Sequence, residues 1–413
     1  MNSLVGSLLP PAERPFGGYE LIAKLATGGM AEILLAREEV DGERNLVVIK
    51  RVLPHLLTEA RFVEMFQDEA RLAAQIDHPN VCRVFDSGSI DGTHFIAMEY
   101  MHGVPLSRML IGAARTKKPI GIDLVIGIVM QCTAGLHHAH ELRGADGSPL
   151  DVVHRDVSPP NVFVTTKGIV KMLDFGVAKA RGSTQNTRTG TVKGKNSYMS
   201  PEQIEGHDVD RRSDVFSLGI VLWEALTTKR LFSRDTDFET FTAITTSDIP
   251  DLQRQRPAIS DALATVVKKA LSQDREDRYH TMREFGEALA AVTNESGREQ
   301  IGRYVQQAFS KELASKTVLT KNITRKLEVV SPEAITDALS KHPRRPRPAT
   351  RPISQAAIEE ALSGASATSK EPSSLRVEQG STSRSRIGWM LLVAVCVCAV
   401  TAFLLSNCTI PPT

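Results

Sequence analysis

Two short runs near the middle of the chain carry residue types that could manage a phosphoryl group. Residues 154–161 read HRDVSPPN, and residues 174–176 read DFG directly after the apolar run Ile169–Leu173. In-line phosphoryl transfer is mainly positioning and charge neutralisation. It needs an acceptor to orient the attacking hydroxyl, for which Asp156 has the right chemistry. It also needs oxygen ligands for a divalent cation, and Asn161 with Asp174 would serve, since Mg2+ takes one or two carboxylates besides the phosphates themselves. Either run alone could arise by chance in a loop. Their joint occurrence, in this order and each beside a strand-like segment, points to one site.

Two upstream features fit the same chemistry. Lys50 ends the apolar strand-like run VVIK; a solvated lysine would look the same, but a cation held against the α- and β-phosphates would need a fixed carboxylate partner. Glu69, within FQDEARLAAQIDHPN, is suitably placed. Before them, LATGGMAEILLA (residues 25–36) offers Ala26, Gly28, Gly29 and Ala31, small enough for backbone N–H groups to approach anionic oxygens. A plain hairpin turn explains this stretch equally well. Strands rather than a helix follow it, which separates it from a dinucleotide fingerprint.

The elements that must hold these residues can be read from periodicity. Residues 19–50 alternate apolar and polar positions around two turns and read as paired strands. Residues 58–76 repeat Phe62, Met65, Phe66, Ala70 and Ala73 at helical spacing and stop at His78-Pro79. Strand-like runs follow at Val81–Phe85 and Phe95–Tyr100, and amphipathic helical runs at 122–142, 213–228, 260–271 and 281–293. A strand-rich first part and a helix-rich second part imply an α+β architecture of two lobes with a cleft between them.

Composition narrows the partners. With 50 basic and 48 acidic residues the chain is nearly neutral, and nothing marks it for nucleic acid. Five cysteines are too few for a disulfide framework at this length, and no Cys/His spacing resembles a metal site. His137, His138 and His140 read as surface and packing residues of a helix. The start, MNSLVGSLLPPAERP, has no basic leader, so the domain behind it is expected in a reducing cytoplasm.

As a set, the motifs resemble the eukaryotic-type protein kinase family, and within it the membrane-anchored Ser/Thr kinases of bacteria. The resemblance runs from about Tyr19 to Val292 and includes SPE at Ser200–Glu202, Asp214 in SDVFSLG and Arg278 in REDRY. It implies a two-lobe fold with a small antiparallel β-rich lobe and a large helical lobe. It implies transfer of the terminal phosphoryl of ATP to protein Ser/Thr hydroxyls, with autophosphorylation, in bacterial signalling. ATP would meet Leu25, Ala26, Gly28, Gly29, Ala31, Ile33, Val48 and Lys50. Met98 would line the back of the adenine site and Glu99–Met101 would form the hinge. Glu202 should pair with Arg278, and Asp214 should hold the backbone around Asp156. Mg2+ is the implied metal, and exchange for Mn2+ stays open.

The pattern is broken in places. Ala26 and Ala31 replace glycines of the family's loop, and alanine resists positive φ, so a stiffer loop and weaker or slower ATP handling are expected. Ser158 stands where Ser/Thr-specific members usually carry a lysine that contacts the γ-phosphate. Loss of such a preorganised contact would cost about 2.7–4 kcal/mol of transition-state stabilisation. The family's Gly-Thr before YMSPE is Gly194-Lys195 here, so Lys195 could supply the missing charge; a solvated lysine is the plainer alternative. Tyrosine-specific relatives differ at the same places, which blurs the acceptor, although the YMSPEQ context favours Ser/Thr. Thr189 and Thr191 are the preferred control sites, where a phosphate could pair with Arg155.

The remainder is organised as an N-terminal extension (1–18), the catalytic domain (19–293) and a juxtamembrane linker (294–386). Residues 297–328 are expected as one or two solvated helices, followed by the Pro/Arg run KHPRRPRPATRP and a Ser/Thr-rich stretch. Residues 387–405 (IGWMLLVAVCVCAVTAFLL) carry no charge over a length able to span hydrocarbon, with Arg384 and Arg386 before them. The expectation is a single-pass protein of the bacterial inner membrane, with the catalytic domain in the cytoplasm and a short outer tail (406–413) too small for a sensor domain. Tethering would raise local concentration and favour activation in trans through a transient homodimer. The competing readings are an ATP-binding pseudokinase acting as a scaffold, and an adaptor whose work is done by residues 297–386.

Overall fold

The computed structural model describes residues 7–40, 42–175, 196–246, 249–292 and 296–327. The first lobe is built from β1 (Ser7–Leu8), β2 (Pro15–Phe16), β3 (Tyr19–Thr27), β4 (Ala31–Val40), β5 (Glu43–Val52), α1 (Ala60–Ala73), β6 (Val84–Ile90) and β7 (Thr93–Glu99). Its strands form one antiparallel sheet in the order β1-β3-β4-β5-β7-β6, with β2 also paired to β3. Ser7–Leu8 and Pro15–Phe16, within the expected N-terminal extension, are thus part of the sheet.

Strand alternation sets what faces the cleft. On β5, Val47 and Ile49 enter an outer cluster with Leu21, Leu34 and Phe95, while Val52 joins Ala31, Phe66 and Ala70 beneath α1. Lys50 has the parity of Val52, so the sheet turns it towards α1. The expected strand Val81–Phe85 is displaced to β6. Val81 instead makes a single bridge with Met172, and Cys82 N donates to Met172 O at 2.9 Å, so this segment serves as a strap between the lobes.

The second lobe contains β8 (Gly103–Pro105), α2 (Leu106–Thr116), α3 (Ile122–His140), β9 (Val162–Thr165) and β10 (Val170–Met172). It continues with α4 (Pro201–Glu205), α5 (Arg211–Thr227), α6 (Asp237–Thr246), α7 (Leu252–Gln255), α8 (Asp261–Ala270), α9 (Met282–Val292), α10 (Arg298–Ala308) and α11 (Ser310–Leu327). The short strands pair antiparallel in the order β10-β9-β8. An amphipathic helix was expected at 213–228, but every residue of α5 from Ser213 to Thr227 is buried, as a helix at the centre of a lobe must be. Among the described residues, α3 is the helix long and apolar enough to cross a membrane; it is more than half buried and packs in this core. Residues 387–405 lie outside the described residues.

The solvated helices expected after residue 297 are packed onto the lobe instead. Ile301, Val305 and Leu313 belong to its main core. The fit depends on missing side chains: a Cβ on Gly168 would sit 1.7 Å from Arg298 O, and one on Gly302 would sit 2.7 Å from Thr166 O. Gln306 Nε2 also donates to Thr166 O at 2.8 Å. Truncating Ile301 to alanine leaves a cavity in this seam. Ile301→Ala should lower the stability of the full chain by about 2–5 kcal/mol, read from its urea unfolding midpoint; a loss under about 0.5 kcal/mol would show α10 to be only loosely attached.

Candidate active site

Lys50 projects from β5 to meet α1 and the segment after β10. Its Nζ donates to Glu69 Oε1 at 2.6 Å and to Asp174 Oδ1 at 2.8 Å, and both Lys50 and Glu69 are buried. Burial alone would favour the neutral amine, but the carboxylates of Asp174 and Glu69 outweigh it and hold the ammonium above the ordinary lysine range. Asp174 adopts φ +49°, which turns its half-exposed carboxylate to the cleft while Phe175 stays buried against the ring of His154 (centroids 4.5 Å apart). A non-glycine residue at positive φ persists only when its surroundings fix it.

The loop carrying Asp156 is fixed from below by Asp214, a fully buried carboxylate on α5. Its Oδ2 accepts from His154 N at 2.8 Å and its Oδ1 from Arg155 N at 2.9 Å, which holds Arg155 at φ +61°. His140 Nε2 lies 2.7 Å from Asp214 Oδ2. Burial opposes the charge on Asp214, yet His140, His154 and these hydrogen bonds keep its pKa below the usual aspartate value. His140 is therefore part of the loop's foundation, although in the sequence it is one of three histidines on an ordinary helix.

Asn161 joins the parts. Its Nδ2 donates to Asp156 O and Oδ2, both at 2.9 Å, and its backbone O accepts from Leu173 N at 2.9 Å, just before Asp174. With the amide N–H groups used, Oδ1 accepts no hydrogen bond among the described residues. An amide oxygen so oriented, on a loop tied to the Asp174 carboxylate segment, is the donor set a hard divalent cation takes. Ser158 is buried, and its Oγ donates to Asp156 O at 3.3 Å, so it shores up the loop.

Between the lobes lies a cavity of about 410 Å³. Of the residues expected around a nucleotide, Leu25, Ala26, Ile33, Val48, Met98, Glu99 and Met101 line it, together with Glu69 and Asp174. Gly28, Gly29 and Ala31 do not, and Lys50 stands behind the wall, bonded to the lining carboxylates of Glu69 and Asp174. Gly28 N donates to Ala31 O at 2.8 Å as a hairpin bond, and Ala31 is packed beneath α1. Neither Ala26 nor Ala31 has a positive φ, so the expected stiffening by these alanines has no backbone cause here. Cys82, Tyr100 and Met172 also line the cavity, as do Glu312, Lys316 and Thr320 of α11. No spacing signal connects those last three to the cleft. Burial pushes the Cys82 thiol well above its ordinary range, which makes it a wall residue rather than a nucleophile. Lys195, Thr189, Thr191 and Gly176 lie outside the described residues.

The family model for the protein kinase domain matches residues 19–288. The chain belongs to the protein kinase family. It is similar to the tyrosine-protein kinase MasK of Myxococcus xanthus, with 44% identity over 309 residues covering 74% of this chain and 48% of that one. It is also similar to the serine/threonine-protein kinase PrkC of Bacillus subtilis, with 31% identity covering 65% of this chain and 39% of that one. The kinase domain of PknI from Mycobacterium tuberculosis superposes with TM-score 0.53 and 26% identity, covering 69% of this chain and all of that one. The chain thus spans about half or less of the length of these curated relatives.

Two further landmarks of the kinase fall where the family pattern puts them. Arg278, fully buried, donates from Nη1 to Glu202 Oε1 at 2.7 Å and from Nη2 to Oε2 at 2.9 Å, and Ser213 Oγ donates to the same carboxylate. Burial would raise the Glu202 pKa, but Arg278 and Ser213 hold it below the ordinary glutamate value. Because the folded carboxyl titrates lower than the unfolded one, its stabilisation is complete above the ordinary glutamate range and is lost as pH falls through the lower folded value. Glu202→Gln should destabilise the kinase at neutral pH by about 3–5 kcal/mol, since it strands a buried guanidinium. Its melting temperature should also fall less steeply than the wild type's in acid; parallel acid profiles would show that Glu202 does not contribute to them.

Proposed function

We propose that the chain transfers the γ-phosphoryl group of ATP to Ser/Thr hydroxyls of proteins, itself included, as part of bacterial signalling. The observation that carries this is the ammonium of Lys50 bridging Glu69 and Asp174, two carboxylates that line a largely apolar cleft, with Asp156 and Asn161 tied to the segment before Asp174. On this reading Lys50 binds the α- and β-phosphates, and Glu69 fixes its position. Asp156 orients the acceptor hydroxyl, and the apolar walls around Val48 and Met98 take the adenine. Asn161 and Asp174 would hold Mg2+, which supplies charge neutralisation on the phosphates when bound. The intact set of polar residues weighs against the pseudokinase and adaptor readings.

Tyrosine is a second candidate acceptor, favoured by two observations. MasK is named a tyrosine-protein kinase, and Ser158 stands in place of the lysine usual in Ser/Thr-specific members. Residues 19–293 are read as the catalytic domain, and residues 387–405 as a membrane span that leaves it in the cytoplasm, able to meet a second copy in trans. In support of that placement stand the uncharged length of the segment and the arginines before it. Lys195 is read as the replacement cation, and Thr189 and Thr191 as control sites whose phosphates pair with Arg155.

The test uses the full chain with labelled ATP and a generic basic protein as acceptor, with Mg2+ or Mn2+ supplied in parallel. Asp156→Asn and Lys50→Met should each lose about 100-fold or more in rate; equal background in all three proteins would leave the scaffold. Acid hydrolysis of the product should release phosphoserine or phosphothreonine, and phosphotyrosine alone would move the acceptor. In the same assay a drop of less than about twofold in Lys195→Met would remove that residue from the site, against the about 10²-fold or greater loss expected of a charge-stabilising donor. Phosphopeptides from the active enzyme should include Thr189 or Thr191. Recovery of the chain in an alkali-washed soluble fraction would remove the membrane span.

A further inference from the structure

We infer that α11, which follows the matched kinase region, is a working wall of the nucleotide cleft and supplies polar groups for the sugar end of the bound nucleotide. The inference rests on the nucleotide reading of the cleft given above. Besides Glu99, which pairs with Lys171, the charged residues that line the cavity fall into two groups. Glu69 and Asp174 are joined through Lys50, while Arg108, Glu312 and Lys316 form a separate cluster beside Gly103, next to the expected hinge. Glu312, Lys316 and Thr320 follow one another at i, i+4 and i+8, so one stripe of α11 faces the cavity.

That stripe is held in place. Leu313 on the same helix enters the core of the lobe, and α10 before it is anchored by Ile301 and Val305. Lys316 Nζ donates to Gly103 O at 2.8 Å, a contact between residues 213 apart in sequence. Gly103 is paired with Thr165 in the β8–β9 ladder, packed so closely that a Cβ there would meet Val164 O at 2.2 Å. Glu312 lies 3.3 Å from Arg108 Nη2 and 3.5 Å from Lys316 Nζ. The carboxylate is therefore fixed between two cations on the cavity wall, apart from the Glu69–Asp174 pair. Burial lowers the Lys316 pKa from its ordinary value, and Glu312 opposes that effect. A fixed carboxylate beside an ammonium suits a vicinal diol, which donates to the first and accepts from the second. The adenine meets apolar surface and the phosphates meet Lys50, which leaves the ribose hydroxyls as the groups this set would bind.

The experiment measures Kd for MgADP and for Mg-2′-deoxy-ADP by calorimetry, using the full chain as wild type, Glu312→Gln and Lys316→Met. Each variant should bind MgADP about fivefold or more weakly. The preference of the wild type for the ribonucleotide should shrink in both, a change that loss of packing alone would not produce. Thermal melts without nucleotide show that the variants are folded, and the isosteric Glu312→Gln keeps the test open should Lys316→Met be unstable. MgADP affinities within about twofold of wild type, or equal weakening for both nucleotides, overturn the inference while leaving the cleft assigned. A wild-type chain that binds neither nucleotide overturns the nucleotide reading, and this inference with it.

Discussion

An ammonium group withdrawn from water at Lys50 is the constraint around which the cleft is organised. Moving such a charge into a protein interior costs several kcal/mol unless opposite charges stand in for water. Here two carboxylates do so, and they come from separate elements: Glu69 from α1 and Asp174 from the segment after β10. The pairing holds only while β5 keeps its register, since a shift of one residue would turn Lys50 to the outer cluster of Val47 and Ile49. It also requires α1 to be seated through Phe66 and Ala70 under the sheet, and Asp174 to keep its left-handed backbone. Sheet, helix and loop are thus tied to one charge.

A second buried charge, Asp214, performs the same task in the helical lobe. Its carboxylate is surrounded by donors from His140, His154 and Arg155, and it stands on a helix buried on all sides. The same helix reaches the other side of the site, where Ser217 Oγ donates to Tyr198 O at 2.7 Å. The backbone beneath Asp156 and the segment leading to α4 therefore share one rigid support. Positioning of this kind is most of what phosphoryl transfer asks of a protein.

What could be read from the sequence follows from how local each signal is. Asp156, Asn161 and Asp174 are carried by short runs of fixed spacing, and Lys50 by strand alternation, so their meeting in one cleft was legible. The character of α5 was not, because a helix buried all round presents no polar face to mark its period. His140 gave no sign of its bond to Asp214, 74 residues away, since nothing local distinguishes it from His137 or His138. Ala26 and Ala31 misled for a different reason: expecting positive φ presumes a glycine-type turn, whereas both sit in extended strand. The helices after residue 297 were hardest to place, because their few apolar residues find partners only in the folded lobe.

Those helices bear on where the catalytic unit ends. The family match stops at residue 288, yet Ile301, Val305 and Leu313 lie within the same core as α3 and α5. Gly168 and Gly302 are costly to substitute because α10 is seated on the lobe, each admitting backbone where even a methyl group would not fit. A cut placed at the end of the family match would expose that apolar seam and remove the α11 side of the cavity. The physical domain therefore extends through α10 and at least the first half of α11. It is the burial of their apolar stripe, with the bond from Lys316 to the backbone of Gly103, that brings a segment beyond the family match to the wall of the cavity.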